Sequence, residues 1–580
     1  MTHPLSPDRP EEAPTLTYEL RLLQTQAATG YFMPVPKHAP GFEETLAYLH
    51  DHPNDTFMHR YGLQLVMAMP LDQVQEMTAT AGPNPVLTTL LMEAALTSEA
   101  LMPLQDRFTP EMWSFCRQDT PLLILRSEQL ADQGRHRQWT ALMKRNLQHH
   151  QPLPPRSETH LPPLYEQDHA RTWISLDNVA LSSQTMATSL DMPDFNTVYD
   201  TAMQGLERLG ILAETEMRHE SSLSPVALLR RWQVQVQVQQ DRHRFHFSGR
   251  QTSYGKGLSL ERARASCAME IVERCSSFTS VVDGRLPDTA RGHRLRRARL
   301  SELTAKGLCA LNPDALGLEV PYEDQPLYWV QGESARGSGD PAAILVPFQT
   351  VFLFSNLDEI DLFSGLGSTG LAAGGTLAQA KFHALLECIE RDAEAVSLFN
   401  AKHCFRLASR DAAVGSLLAD YRQRGIDVIF QDCRTGLGVP CYKCFVYGPG
   451  PDELAKGTSA HFAGWQAALS ALTETPYPYP HGPASRPGPV DLPVRYLEAL
   501  PDYSSGNMAA DLQRLEALLA ANHLHPVYVD LTRRDLSIPV VRALVPGLEL
   551  MADYDRYARV SPRLYHNYLA LMADADPHRG

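Results

Sequence analysis

GLSLERARASCAMEIVER, Gly257 to Arg274, and GGTLAQAKFHALLECIER, Gly374 to Arg391, lie over each other without a gap at an offset of 117 residues. Gly257 meets Gly374, Ser259 meets Thr376, Leu260 meets Leu377 and Ala263 meets Ala380. Glu270, Glu273 and Arg274 meet Glu387, Glu390 and Arg391. Agreement at so many positions marks an internal repeat. Each copy begins in a glycine-bearing turn and carries Ser259 or Thr376 where a helix needs an N-cap. Residues three and four apart share a helix face, so each copy projects two carboxylates and a guanidinium together.

A lone Glu-x-x-Glu-Arg reads more simply as a solvated face with local ion pairs. The neighbours argue against that here. Ala263, Ala265, Cys267, Ala268, Ile271 and Val272 in one copy, and Ala380, Phe382, Ala384, Leu385, Leu386 and Ile389 in the other, leave little polar surface besides the motif. Carboxylates on such helices are costly unless paired or bound to metal. Four facing carboxylates, Glu270, Glu273, Glu387 and Glu390, suit Mg²⁺, a hard cation that brings nucleotide phosphates with it. Arg274, Arg391 and Lys256 then have phosphate oxygens to meet.

Working outward, Trp232 to Val238 alternates apolar and polar residues strictly, the signature of a strand with one buried face. Thr197 to Leu209 predicts a helix stopped by Gly210. A second duplication follows: Gly425 to Asp432 with Leu437-Gly438-Val439-Pro440 echoes His525 to Asp530 with Leu536-Ser537-Ile538-Pro539. Each is preceded by a predicted helix, Gly415 to Arg424 or Met508 to Asn522. The expected fold is α+β, a pseudo-symmetric duplicated domain with mixed sheets. Residues 1–16 read as a mobile tail, 17–150 as a mainly helical N-terminal domain, 151–164 as a Pro-rich linker and 165–580 as the duplicated ATP-binding domain.

The chain has 580 residues, 43% of them hydrophobic, and a formal net charge of −15, which argues against nucleic-acid or anionic-membrane partners. Neither a membrane span nor a leader is indicated, so the expected address is cytoplasmic. The nine cysteines are scattered and read as reduced. Cys441 and Cys444 form a Cys-x-x-Cys within an alternating stretch that puts them on opposite faces of a strand, so they read as ordinary strand residues.

These residues resemble the YcaO family over roughly Thr197 to Met572. Its Ser-x-x-x-Glu-x-x-Glu-Arg motif is matched by Ser266, Glu270, Glu273 and Arg274, after Gly255-Lys256-Gly257. Gly370-Leu371-Ala372-Ala373-Gly374 leading to Glu387 through Ala393 also looks like the family, as does Val529 through Arg542 with Val545-Pro546-Gly547. The resemblance implies an enzyme that uses ATP and Mg²⁺ to phosphorylate a backbone amide oxygen of a peptide or protein substrate. It places Lys256, Ser266, Glu270, Arg274, His383, Arg391 and Arg542 at ATP. It places Glu270, Glu273, Glu387, Glu390 and Gln379 at metal. Many members carry a Glu and a Gln where this chain has Gln379 and His383, which puts the number of ions in question. The sequence ends Asp576-Pro577-His578-Arg579-Gly580, without the Pro-x-Pro-x-Pro terminus typical of azoline-forming members. The favoured expectation is a thioamide or related product made with a sulfur-delivery or leader-binding partner, from a homodimer. The alternatives are an azoline-forming cyclodehydratase, an accessory factor for modifying a ribosomal or other cellular protein, and a non-catalytic ATP-binding regulator.

Overall fold

The computed structural model describes residues 16–23, 31–81, 84–166, 171–179, 194–335, 342–365, 367–550 and 554–575. Its first sheet contains β1 (Leu16–Leu23), β2 (Tyr31–Pro36), β3 (Met217–Arg218), β4 (Val226–Gln240), β5 (His243–Gly257) and β6 (Val281–Val282). The order is β2-β1-β5-β4-β3, with β6 on β4. The alternating stretch lies in β4, and Trp232, Val234 and Val238 are buried as the period predicts. β4 and β5 form one long antiparallel hairpin from Val226↔Gly257 to Gln240↔His243. The predicted helix spans Phe195–Leu209 and stops at Gly210 in the left-handed region.

From β5 the chain enters the first repeat helix, Leu260–Ser277, capped by Ser259 accepting from the Arg262 N–H. The second, Leu377–Val396, is capped by Thr376 accepting from the Gln379 N–H. A second sheet holds β7 (Arg296–Ala298), β8 (Leu327–Ser334), β9 (Ala342–Pro347) and β10 (Leu371–Ala373). The chain then builds a third sheet from β11 (Cys404–Ala408), β12 (Ile429–Asp432), β13 (Cys441–Tyr447), β14 (Leu454–Ala460) and β15 (Val494–Tyr496). It returns with β16 (Val527–Asp530) and β17 (Val540–Leu544), giving the order β10-β17-β16-β8-β7.

The second duplication is visible as two equivalent antiparallel pairs, β12 with β13 and β16 with β17. Their connections share a detail: Gly438 (φ +75°) and Ser537 (φ +57°), at matching positions before the proline, are both left-handed. Cys441 and Cys444 on β13 are buried in different core clusters, one on each face of the sheet. The fold is therefore α+β with several mixed sheets.

The N-terminal region differs from its helical reading at its start. β1 and β2 precede the helices, and β1 runs parallel to β5 from Leu16↔Phe245. The cause is a short period-two pattern in which Tyr18 and Leu20 are buried between the less buried Thr17, Glu19 and Arg21, and it ends at the exposed Leu22. Helices then follow from Phe42–Asp51 to Gln133–His149. One core cluster joins Tyr18, Phe57 and Leu90 to Trp232, Phe245, Trp329 and Val527. The Pro-rich segment is packed as well: Trp139 Nε1 donates to the Pro162 carbonyl at 3.0 Å and the Tyr568 hydroxyl to the Pro154 carbonyl at 2.8 Å. Residues 1–15 of the expected tail lie outside the described residues. Among those described, no helix is long and apolar enough to cross a membrane.

Candidate functional site

Glycine lets the chain ahead of each repeat helix pack closely, onto the helix backbone at Gly255 and onto β17 and the Cys388 side chain at Gly370. A Cβ at Gly255 would stand 2.0 Å from the Ala263 carbonyl oxygen, and one at Gly370 (φ +76°) 2.1 Å from that of Ala543. This close approach aims backbone N–H groups at the glutamates. The Tyr254 N–H donates to Glu270 at 2.7 Å. The Gly370 N–H lies near enough to Glu387, and the Ala373 N–H near enough to Glu273 on the other helix, to favour the ionised carboxylate. β10 packs against both repeat helices, so the two copies meet at one strand.

The carboxylates are not sealed in: Glu270, Glu273 and Glu390 keep 28%, 18% and 14% of their side-chain surface, so a ligand in the cleft can reach them. Their acidity is nonetheless perturbed. Burial, with Glu387 and Glu270 nearby and against the pull of Arg274, pushes Glu273 up to about 8. Burial also raises Glu270, Glu387 and Glu390, the last strongly, despite the adjacent arginines. Arg274 Nε lies 3.8 Å from Glu270 and 3.7 Å from Glu273. Arg391 reaches Glu390 at 3.1 Å and Glu394 at 2.6 Å. Two cations among these carboxylates leave them short of positive charge.

Arg542, on β17, is wholly buried, and burial lowers its guanidinium to about 10 despite Glu387. Its Nη2 donates to the Gly367 carbonyl at 3.0 Å, while Nε and Nη1 have no protein partner. Lys256 pairs with Glu474 at 2.5 Å. Ser266 is exposed one turn before Glu270. Gln379 Oε1 accepts from the Gly375 N–H at 2.8 Å, bracing the start of its helix. His383 is held down to about 4 by burial alone, so it is neutral. Glu394 and Glu474 were not among the sequence candidates. Glu394 follows Arg391 by three residues, and Glu474 belongs to a Thr-Glu pair late in the matching region. Among the described residues no three His, Cys, Asp or Glu side chains form a metal cage by themselves, so the named metal set is not a preformed one.

The family model described as YcaO cyclodehydratase, ATP- and Mg²⁺-binding, matches residues 254–477 and 476–549. The chain belongs to the YcaO family. ATP and Mg²⁺ are the cofactors of that family model. An uncharacterized protein of Methanothermobacter thermautotrophicus is 28% identical over 342 residues, 53% of this chain and 84% of that protein. An uncharacterized protein in the tfuA 3′ region of Rhizobium leguminosarum bv. trifolii is 27% identical over 236 residues, 38% of this chain and 53% of its own. Among solved structures, a heterocyclase in complex with substrate and cofactor is 19% identical with a TM-score of 0.48, covering 62% of this chain and 52% of that one. The YcaO from Methanopyrus kandleri bound with AMPPCP and Mg²⁺ is 21% identical with a TM-score of 0.45, covering 61% and 91%. The chain spans about half the length of the Rhizobium protein and of the heterocyclase.

The residues present fit the YcaO cofactors. Unpaired buried donors on Arg542 call for an anion, and clustered carboxylates of raised pKa call for a cation. Mg²⁺ commonly takes one or two carboxylates together with nucleotide phosphates and water, which needs no all-protein cage.

Proposed function

We propose that this YcaO protein activates a backbone amide of a peptide or protein at the expense of ATP. The supporting observation is the composite cluster, in which both repeat helices face β10 and Arg542 offers two unpaired donors. Arg542, Arg391 and Lys256 would hold nucleotide phosphates, and Glu270, Glu273, Glu387 and Glu390 would hold metal, with Gln379 contributing at most a neutral oxygen. Ser266 and His383 would border the nucleotide, His383 as a neutral ring. Bound MgATP supplies the phosphoryl group that turns the amide oxygen into a leaving group. Arginines fixed by glutamates and by backbone carbonyls can orient that oxygen without reorganising.

The nucleophile comes from outside. Cys267 and Cys388, the thiols nearest the motifs, are buried, and burial pushes both up to about 12. Such thiols are inert at neutral pH. We favour a sulfur-delivering partner and a thioamide product. A substrate Cys, Ser or Thr as nucleophile, giving an azoline, is the second reading, favoured by the family model's description as a cyclodehydratase. A peptide carrying ¹⁸O at its carbonyl tests both readings: the label should appear in released phosphate. The peptide should exchange oxygen for sulfur in the first case or lose water in the second. Unlabelled phosphate would sink amide activation.

A further inference from the structure

A cavity of about 780 Å³ opens beside the cluster, with Glu270 and Arg274 in its lining. That lies within the roughly 300–1,000 Å³ typical of small-ligand sites. One wall is aromatic, formed by Phe278, Phe352 and Phe354. Phe354 has φ +50°, a conformation a bulky residue rarely adopts, and its ring lies flat on Phe278 with centroids 5.7 Å apart and planes 7° off parallel. Backbone strain of this kind persists only where the surroundings enforce it, and it gathers at ligand sites.

Phe32, Met33 and Phe57 of the N-terminal region, outside the family match, also line it. Of the residues assigned to nucleotide or metal, only Glu270 and Arg274 line the cavity; Arg542, Arg391 and Lys256 do not. Those three phosphate-binding groups therefore lie outside the lining, which carries seven aromatic rings beside polar side chains, two of which, Arg60 and Asp361, pair with each other at 2.8 Å. We propose that it takes an aromatic side chain of the peptide substrate, flanking the amide to be activated, and that the N-terminal region sets this preference. The inference rests on the peptide-activating reading above.

The probe is acetyl-glycyl-para-fluorophenylalanyl-glycinamide followed by fluorine NMR, with acetyl-glycyl-alanyl-glycinamide as competitor. The full chain should bind the fluorinated peptide, and the alanine peptide should not displace it. Thr252→Phe, which fills the cavity from β5, should weaken binding about tenfold or more, and Phe32→Ala about threefold. MgATP affinity by calorimetry should stay within about twofold of wild type in both. Phe32 sits on a partly exposed wall, so its variant keeps the test open if Thr252→Phe fails to fold. The proposal is overturned by no binding to wild type, by displacement with the alanine peptide, by unchanged peptide affinity in folded variants, or by lost MgATP affinity in Thr252→Phe, which would give the cavity to nucleotide. Peptide binding without any MgATP binding to wild type would instead sink the amide-activation reading and leave the cavity assignment standing.

Discussion

Glu273 carries a testable sign at the scale of single residues. Burial holds it up at about 8, against 4.5 for an unperturbed glutamate, so in that window the folded chain keeps a proton that the unfolded chain has lost. The associated stability is fully present below about 4.5 and is lost as pH rises through about 8. Glu273→Gln removes this penalty. The apo variant should melt higher than wild type at pH 8.5, by roughly 1–3 kcal/mol in stability, with the gap closing toward pH 5. Glu390→Gln should behave alike, since burial raises it too. Both should lose ATP turnover. If the glutamates served only as ion-pair partners of Arg274 and Arg391, each substitution would instead cost about 3 kcal/mol and spare nucleotide binding. Melting curves at two pH values with a phosphate-release assay decide. Arg542→Lys keeps the charge but loses the planar fork with its unpaired Nε and Nη1. It should cost about 1.5–3 kcal/mol of MgATP affinity, read by calorimetry. Unchanged affinity would remove Arg542 from the phosphate site.

The two helices with their leading strands are the elements in which the sequence was most legible. The cap residues, the shared face of Glu270, Glu273 and Arg274, and the glycine before each helix could be read because they are local and occur twice. What crosses between elements could not be read. The influence of the Ala373 N–H on Glu273 joins residues a hundred positions apart, and the orphaned donors of Arg542 depend on how β17 seats against β10. The duplication is also imperfect in a measurable way. A Cβ at Gly257 comes no closer than 3.0 Å to its neighbours, one at Gly374 reaches 2.6 Å from the Ala380 nitrogen, and one at Gly370 meets the Ala543 oxygen in a left-handed backbone. Alanine should therefore cost about 1 kcal/mol at Gly257, more at Gly374 and about 3 kcal/mol or more at Gly370. Denaturant titrations give the ranking. Equal costs at all three would mean the chain around each glycine shifts to make room.

For the whole molecule, the N-terminal region is welded to the domain that binds nucleotide. Composition and proline content suggested a boundary at 151–164, but proline spacing cannot reveal that β1 completes the first sheet or that one core runs from Tyr18 to Val527. The weld includes the segment leading to the site. Asn356 donates to Asp55 at 2.9 Å, Asp358 accepts from Asn54 at 2.8 Å, and Asp361 from Arg60 at 2.8 Å, all just before the turn that carries Gly370. Contacts of this density should make the chain unfold as one cooperative unit. Scanning calorimetry of the apo protein should then show a single transition, and MgATP should move all of it. At a hundred times its dissociation constant a ligand adds about 2.7 kcal/mol, which for a chain of this length is a shift of about 2 °C. A separately folded N-terminal domain would give two transitions, of which only one responds to nucleotide. That pattern would also weaken the cavity assignment, since a wall that melts independently of the site cannot hold Phe32 and Phe57 in register with Glu270.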